Sequence, residues 1–285
     1  LSSTDARVCW LVAGSQPGIR IRQVPAGASP VATGSTPFTV ESRERLIYFP
    51  ALLNGDAENF FGQVVTAESA EQPVVLRSVD RNPLKKATIE VGLQGVTTGA
   101  HRVAVAINGQ PLGEVTFTGT ALGKLRATIA SDALVEGINT VTMTAVGEGV
   151  DVSLVEAVRV TYFHQPKADE NLVRATFAAA GQGSAVTIGG FGSPDVRVVD
   201  VTSPTQPVEL VGTVVTAPNG HAVSVRSLPG ARTMLAFAGS RVRRPDSIVV
   251  NQPSAWRTFG GADLLIVAPK DLHTSLAPLV AARQS

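Results

Sequence analysis

His101-Arg-Val-Ala-Val-Ala-Ile-Asn-Gly-Gln-Pro-Leu-Gly-Glu-Val-Thr-Phe117 carries the strongest local signal in the chain. Two stretches rich in β-branched residues flank Asn108-Gly109, a pair that tolerates the positive φ angles of a type I′ turn. His101–Ile107 is therefore expected to pair antiparallel with Gly113–Phe117. Around this hairpin, Thr88–Leu93, Lys124–Ile129, Asn139–Ala145 and Ala157–Phe163 are also strand-like. Ser131-Asp132-Ala-Leu134-Val-Glu136-Gly137 fits one helical turn, capped by Ser131 or Asp132 and closed by Gly137. Short strands with turn signals every few residues describe an antiparallel sandwich. The Asn-Gly hairpin, the Leu134-x-x-Gly137-x-Asn139 turn and the closing Tyr162-Phe163 together resemble a galactose-binding-like jelly roll.

Upstream, Arg7–Ala13, Gly18–Val24 and Phe38–Phe49 read as strands. Ile19-Arg-Ile21-Arg alternates as an amphipathic strand would. Downstream, His164-Gln-Pro166-Lys-Ala-Asp-Glu170 reads as a linker. A second β region follows with Leu172–Phe177, Ala185–Ile188, Val196–Val201, Val208–Val215, His221–Arg226, Thr233–Ala238 and Ser247–Val250. Three opening strands are too few to fold alone, so they are expected to pack on this second region. Packing on the jelly roll is the other solution. Gly261-Ala-Asp-Leu-Leu-Ile-Val-Ala-Pro269 reads as a buried strand, and Lys270–Arg283 carries apolar residues at helical spacing. The expected fold is mainly β, with two antiparallel sandwiches and a short C-terminal β-α unit. Residues 1–56 and 167–258 form a discontinuous β domain, 57–166 the jelly roll, and 259–285 the first β-α unit of a truncated α/β domain.

The chain has 285 residues, 44% hydrophobic and 16% charged, with a formal net charge of +1. That balance suits a globular protein and argues against a nucleic-acid partner, which requires a concentrated basic face. The cluster Arg241, Arg243, Arg244 ends in Pro245 and reads as a solvated loop. No apolar run reaches the roughly 18–20 residues of a transmembrane helix. Leu1 reads as a processed end. Cys9 is the single cysteine, so no intrachain disulfide forms, and its apolar neighbours place it in a core strand, where burial hides the sulfur.

No catalytic or cofactor-binding residue is assigned. His101, His164, His221 and His273 lack the spacing that would aim two imidazoles at one metal. Neither Gly181-Gln-Gly-Ser184 nor Gly189-Gly-Phe-Gly192 joins a strand to a helix, so both read as turns rather than phosphate cradles. In Asn54-Gly55-Asp56-Ala57-Glu58-Asn59, several oxygens share one loop. Asp56 and Glu58 are the candidate ligands for Ca²⁺, with Asp151 and Glu156 as conceivable additions; no cofactor is required. Aromatic residues make up 5%, sparse for a sugar-stacking surface.

Several motifs follow in order: Trp10-Leu-Val-Ala-Gly14, Leu53-Asn-Gly-Asp-Ala-Glu-Asn-Phe-Phe-Gly62, Leu93-Gln-Gly-Val96, Val105-Ala-Ile-Asn-Gly109, Glu136-Gly-Ile-Asn-Thr140, Asp151-Val-Ser-Leu154 and Val196-Arg-Val-Val-Asp-Val-Thr-Ser-Pro204. In this order they resemble the β-rich region that precedes the catalytic domain of bacterial gingipain-type cysteine peptidases. Gly261–Pro269 and Leu279-Val-Ala-Ala-Arg283 are similar to the first strand and helix of that family's caspase-like domain. The resemblance spans most of the chain, yet its motifs are structural. The family's catalytic His and Cys lie downstream, and no catalytic residue carries over. The resemblance implies an exported, extracellular or cell-surface, non-catalytic accessory region (pro-segment, scaffold or presentation module). Its partner would be its own downstream catalytic domain, and its parent a cysteine endopeptidase. The alternative is a free-standing extracellular β-sandwich that binds a cell-surface protein or glycan. Leu264, Leu265, Ile266 and Val267 separate the two, because a free-standing module would leave that strand uncovered at a cost of about 1.5–3 kcal/mol per side chain.

Overall fold

The computed structural model describes residues 8–53, 55, 57–180, 184–251, 260–261 and 263–284. It divides into two compact units, Leu1–Val242 and Arg243–Ser285. In chain order the strands of the first unit begin with β1 (Arg22–Pro25), β2 (Thr36–Ser42), β3 (Ile47–Tyr48), β4 (Phe60–Phe61), β5 (Val64–Val65) and β6 (Ala70–Leu76). Next come β7 (Lys86–Gly95), β8 (Ala100–Ile107), β9 (Gln110–Thr118), β10 (Leu122–Ala130), β11 (Gly137–Ala145) and β12 (Ser153–His164). The last are β13 (Leu172–Ala180), β14 (Ala185–Phe191), β15 (Val196–Asp200), β16 (Val208–Val211), β17 (Thr213–Ala217), β18 (Gly220–Arg226) and β19 (Gly230–Ala238). The second unit holds the helix α1 (His273–Gln284). The chain is thus mainly β.

The first sandwich faces a sheet ordered β10-β7-β12-β2 against one ordered β6-β11-β8-β9. Alternation on β6 and β8 sends every second side chain inward. These meet Ile89, Leu93, Val105, Ile107, Met143, Val160 and Tyr162 in one apolar core. The outward rows run in register across four strands. Thr128, Thr88, Thr161 and Thr39 form one, and Arg126, Glu90, Arg159 and Glu41 form the next, with alternating charge. Arg126 pairs with Glu90 at 2.8 Å and Arg159 with Glu41 at 2.5 Å. Cross-strand pairs of this kind contribute about 0.2–1 kcal/mol each and mark this as a solvated face.

The second sandwich packs the sheet β1-β16-β15-β19-β13 on the sheet β14-β18-β17. Its core of Phe177, Ile188, Phe191, Val198, Leu210, Val223 and Met234 is separate from the first. The opening segment takes both routes open to it. β1 joins the second sandwich, parallel to β16, whereas β2 joins the first, antiparallel to β12.

Several strands differ from the sequence pattern. Val208–Val215 is two strands, because the chain changes sheet at Gly212, where a Cβ would lie 2.8 Å from the Ser224 carbonyl oxygen. Residues 8–13 form no strand, and Cys9 is exposed. An apolar run becomes a buried strand only where a sheet edge accepts it, and none does so here among the described residues. Ile19 and Ile21 are likewise exposed, since the ladder begins at Arg22. Ser247–Val250 and the described part of Gly261–Pro269 carry no ladder, while the expected C-terminal helix is present. Ser131–Ala133 is a short 3₁₀ turn without a side-chain cap. No helix among the described residues is long and apolar enough to cross a membrane.

The hairpin at Asn108-Gly109 has φ of +49° and +79°, and Ile107 faces Gln110 across it. Its turn is tied to the Leu134–Asn139 turn by the fully buried Asn139. The Asn139 Oδ1 accepts from Val135 N at 3.0 Å and from Asn108 Nδ2 at 2.9 Å. Its Nδ2 donates to the carbonyl oxygens of Val135 and Gly137. Asn139→Ala would strand these backbone groups. The expected loss is about 2–4 kcal/mol, read as a lower urea midpoint. Ile138→Ser, at a position 64% exposed, should shift it by less than about 0.5 kcal/mol.

Candidate functional site

Between the two apolar cores lies a polar joint. The hydroxyl of Tyr162, on the inward face of β12, donates to the Arg77 carbonyl at 2.8 Å and accepts from Arg77 N at 3.2 Å. That fixes the chain leaving β6. Ser78 then adopts a left-handed φ of +49°, and the amides of Ser78 and Val79 both donate to the Glu136 carboxylate, at 2.8 and 3.0 Å. The turn frees the Ser78 hydroxyl to donate to Asp169 Oδ1 at 2.8 Å. His164, at the end of β12, donates from Nε2 to Asp169 Oδ2 at 2.7 Å, and its Nδ1 faces the Gln165 carbonyl. Arg77 also pairs with Glu170 at 2.6 Å.

Asp169 belongs to the connection between the sandwiches, and the same connection is fastened to the second one. Ala168 N donates to the Gly189 carbonyl and Gly189 N to the Pro166 carbonyl, while the Ala168 side chain enters the second core. Gly190 permits this approach, because a Cβ there would lie 2.5 Å from Lys167 Cγ and 2.8 Å from the Ala168 carbonyl oxygen. The linker reading of residues 164–170 thus conceals a clamp.

A second buried pair sits at the end of the first sandwich. His101 Nδ1 donates to Asp151 Oδ1 at 2.6 Å, and its Nε2 faces the carbonyl oxygens of Thr97 and Gly119. Asp151 Oδ2 accepts from Arg102 N, and the Phe117 ring stacks on the imidazole. Asp151 is fully engaged here.

Of the two calcium candidates, Asp56 lies outside the described residues. Glu58 meets the guanidinium groups of Arg43 at 3.3 Å and Arg45 at 3.0 Å, cations a Ca²⁺ would have to displace. Glu156 also pairs with Arg43. Among the described residues no group of three His, Cys, Asp or Glu side chains stands ready to hold a metal. His221 is the second residue of β18, half-buried.

Two constellations invite a catalytic reading, and geometry denies both. In Ser78–Asp169–His164 the carboxylate stands between hydroxyl and imidazole, so the order is not that of a triad and the imidazole does not reach the serine proton. In Ser35–Lys85–Asp80 the ammonium donates to both the Ser35 hydroxyl and the Asp80 carboxylate. An amine so paired has no lone pair to offer as a base. Sequence reasoning missed both His–Asp pairs. The His101–Asp151 spacing of 50 residues leaves no local signal, and His164–Asp169 sits inside what reads as a polar linker.

These features define a mainly β chain of two joined sandwiches. No family model matches the sequence, and no curated protein matches it. Among solved structures, the fold is similar to dimeric latent PorU from Porphyromonas gingivalis, with a TM-score of 0.56 and 12% identity. The match covers 78% of this chain and 22% of that one, so this chain corresponds to a minor part of that protein, and at such identity the likeness concerns fold alone. A cycloisomaltooligosaccharide glucanotransferase from Paenibacillus sp. overlaps at a TM-score of 0.23 and 8% identity, over 74% of this chain and 46% of that one, too distant to carry weight.

The joint has a defined pH response. Burial raises the Asp169 carboxyl, but hydrogen bonds from His164 and Ser78 outweigh it and hold the group below its ordinary 3.8. Lys85 and then Ser35 hold Asp80 down, and Arg197 and then Gln23 hold Glu209 below 4.5. Burial pushes the Tyr162 hydroxyl up to about 12. Depressed carboxylates stabilise the fold above their unfolded values, and that share is lost as pH falls through the lower folded ones. Stability should therefore fall below about pH 4, and Asp169→Asn should flatten this acid slope while lowering neutral stability by about 1.5–3 kcal/mol. The raised tyrosine contributes below its ordinary 10.0 and loses that share as pH rises toward 12. Tyr162→Phe should flatten the alkaline slope. Urea unfolding across pH reads both.

Proposed function

We propose that this chain is the non-catalytic β-rich accessory region of an exported gingipain-like cysteine peptidase. Its two sandwiches act as one rigid scaffold that positions or covers the downstream catalytic domain. The observation that carries the reading is the clamp at Asp169, which fastens two separate cores into a single piece, as a positioning element needs. The ordered sequence motifs support the family. The likeness to latent PorU supports it at the level of fold, since the matched part is a fraction of a longer chain.

The test uses the parent gene product, read through the downstream domain, with and without this region. A peptide library should be cleaved only when a downstream cysteine is intact, and cleavage should change when residues 1–242 are removed. This chain alone should hydrolyse nothing. Hydrolysis by this chain, or a parent indifferent to its removal, would contradict the proposal.

A further inference from the structure

Three Asn-Gly pairs occur in the sequence, Asn54-Gly55, Asn108-Gly109 and Asn219-Gly220. Such pairs undergo a spontaneous reaction with water. The glycine nitrogen attacks the asparagine Cγ, forming a new N–C bond, giving up its proton and expelling ammonia. Water then opens the resulting succinimide at either carbonyl, leaving aspartate or isoaspartate. The rate depends on whether Cγ can swing onto the following nitrogen, and the absent glycine side chain removes the usual obstruction.

The fold treats the two described pairs oppositely. At Asn108 both ends of the side-chain amide are fixed. Oδ1 accepts from Thr140 N at 3.0 Å, and Nδ2 donates to Asn139 Oδ1 at 2.9 Å and to the Ala133 carbonyl at 3.3 Å. Cγ cannot reach the Gly109 nitrogen without breaking these bonds. Asn219 occupies the exposed Pro218-Asn219 turn between β17 and β18, and its amide makes no hydrogen bond among the described residues. Gly220 cannot be traded for a bulkier neighbour. It holds a φ of +119°, and a Cβ would collide with the Phe191 carbonyl oxygen. The turn thus keeps its reactive pair for a structural reason.

We infer that Asn219 is the site of spontaneous deamidation and isoaspartate formation in the folded protein, and that Asn108 is protected by its bonds to Asn139, Thr140 and Ala133. The product adds a negative charge and, as isoaspartate, an extra backbone methylene. It falls on the hairpin that ends the edge strand β17.

The full chain, aged in warm, mildly alkaline buffer, is tested by peptide mapping and isoaspartyl methyltransferase labelling. A parallel sample is aged in guanidinium chloride. In the native sample Asn219 should convert about tenfold or more faster than Asn108, since freeing Asn108 means breaking its hydrogen bonds first. In denaturant the two rates should converge. Equal conversion of Asn108 in the native chain would overturn the inference, as would an Asn219 that converts only when unfolded or a disparity that persists in denaturant.

Discussion

The Asp169 carboxylate holds the architecture together. One oxygen takes the Ser78 hydroxyl and the other the His164 imidazole, so a single group fastens the exit of β6, the end of β12 and the connection to β13. Apolar burial stabilises each sandwich, at roughly 1.5–3 kcal/mol per large side chain, but it has no direction. Two separate cores joined by a slack linker would turn freely. Charge-assisted hydrogen bonds have fixed geometry, and here they convert adjacency into alignment. Glu136 supplies the counterpart on the other side of the turn, by satisfying the two amides that Ser78's left-handed backbone would otherwise leave bare.

A similar logic governs the neighbouring turns at the same end of the first sandwich. Asn108 and Asn139, remote from each other along the chain, close two turns on one another: Asn108 Nδ2 donates to Asn139 Oδ1, and Thr140 N donates back to Asn108 Oδ1. That arrangement sets the register of β8, β9 and β11, and with it which side chains of three strands face the core. The cost of disturbing it is high because the Asn139 amide is fully buried. Its second consequence is chemical, since a side chain held at both ends cannot cyclise.

The sequence makes the strands of the first sandwich legible wherever alternation and turn chemistry agree. Asn108-Gly109 announces its hairpin, and Gly137-Ile-Asn139 announces the entry to β11. Long-range pairing is invisible in the same sequence. Nothing about Arg22–Pro25 says that it lies parallel to Val208–Val211, or that Gln23 reaches Glu209 across 186 residues. Val8–Val12 and Gly261–Pro269 have the composition of core strands but lack a neighbouring edge among the described residues, and composition cannot report a missing partner. The polar joint escaped for the opposite reason. Serine, histidine and aspartate in a linker carry no periodicity, and only the fold shows that they meet.

Native-state hydrogen exchange on the full chain shows whether the two sandwiches form one rigid piece. The slowest amides of the first core, around Ile89 and Val105, and of the second, around Val198 and Met234, should exchange through one shared opening. They would show the same free energy and denaturant dependence. Two openings of clearly different free energy would contradict it, and would leave the clamp at Asp169 as a contact between independent domains.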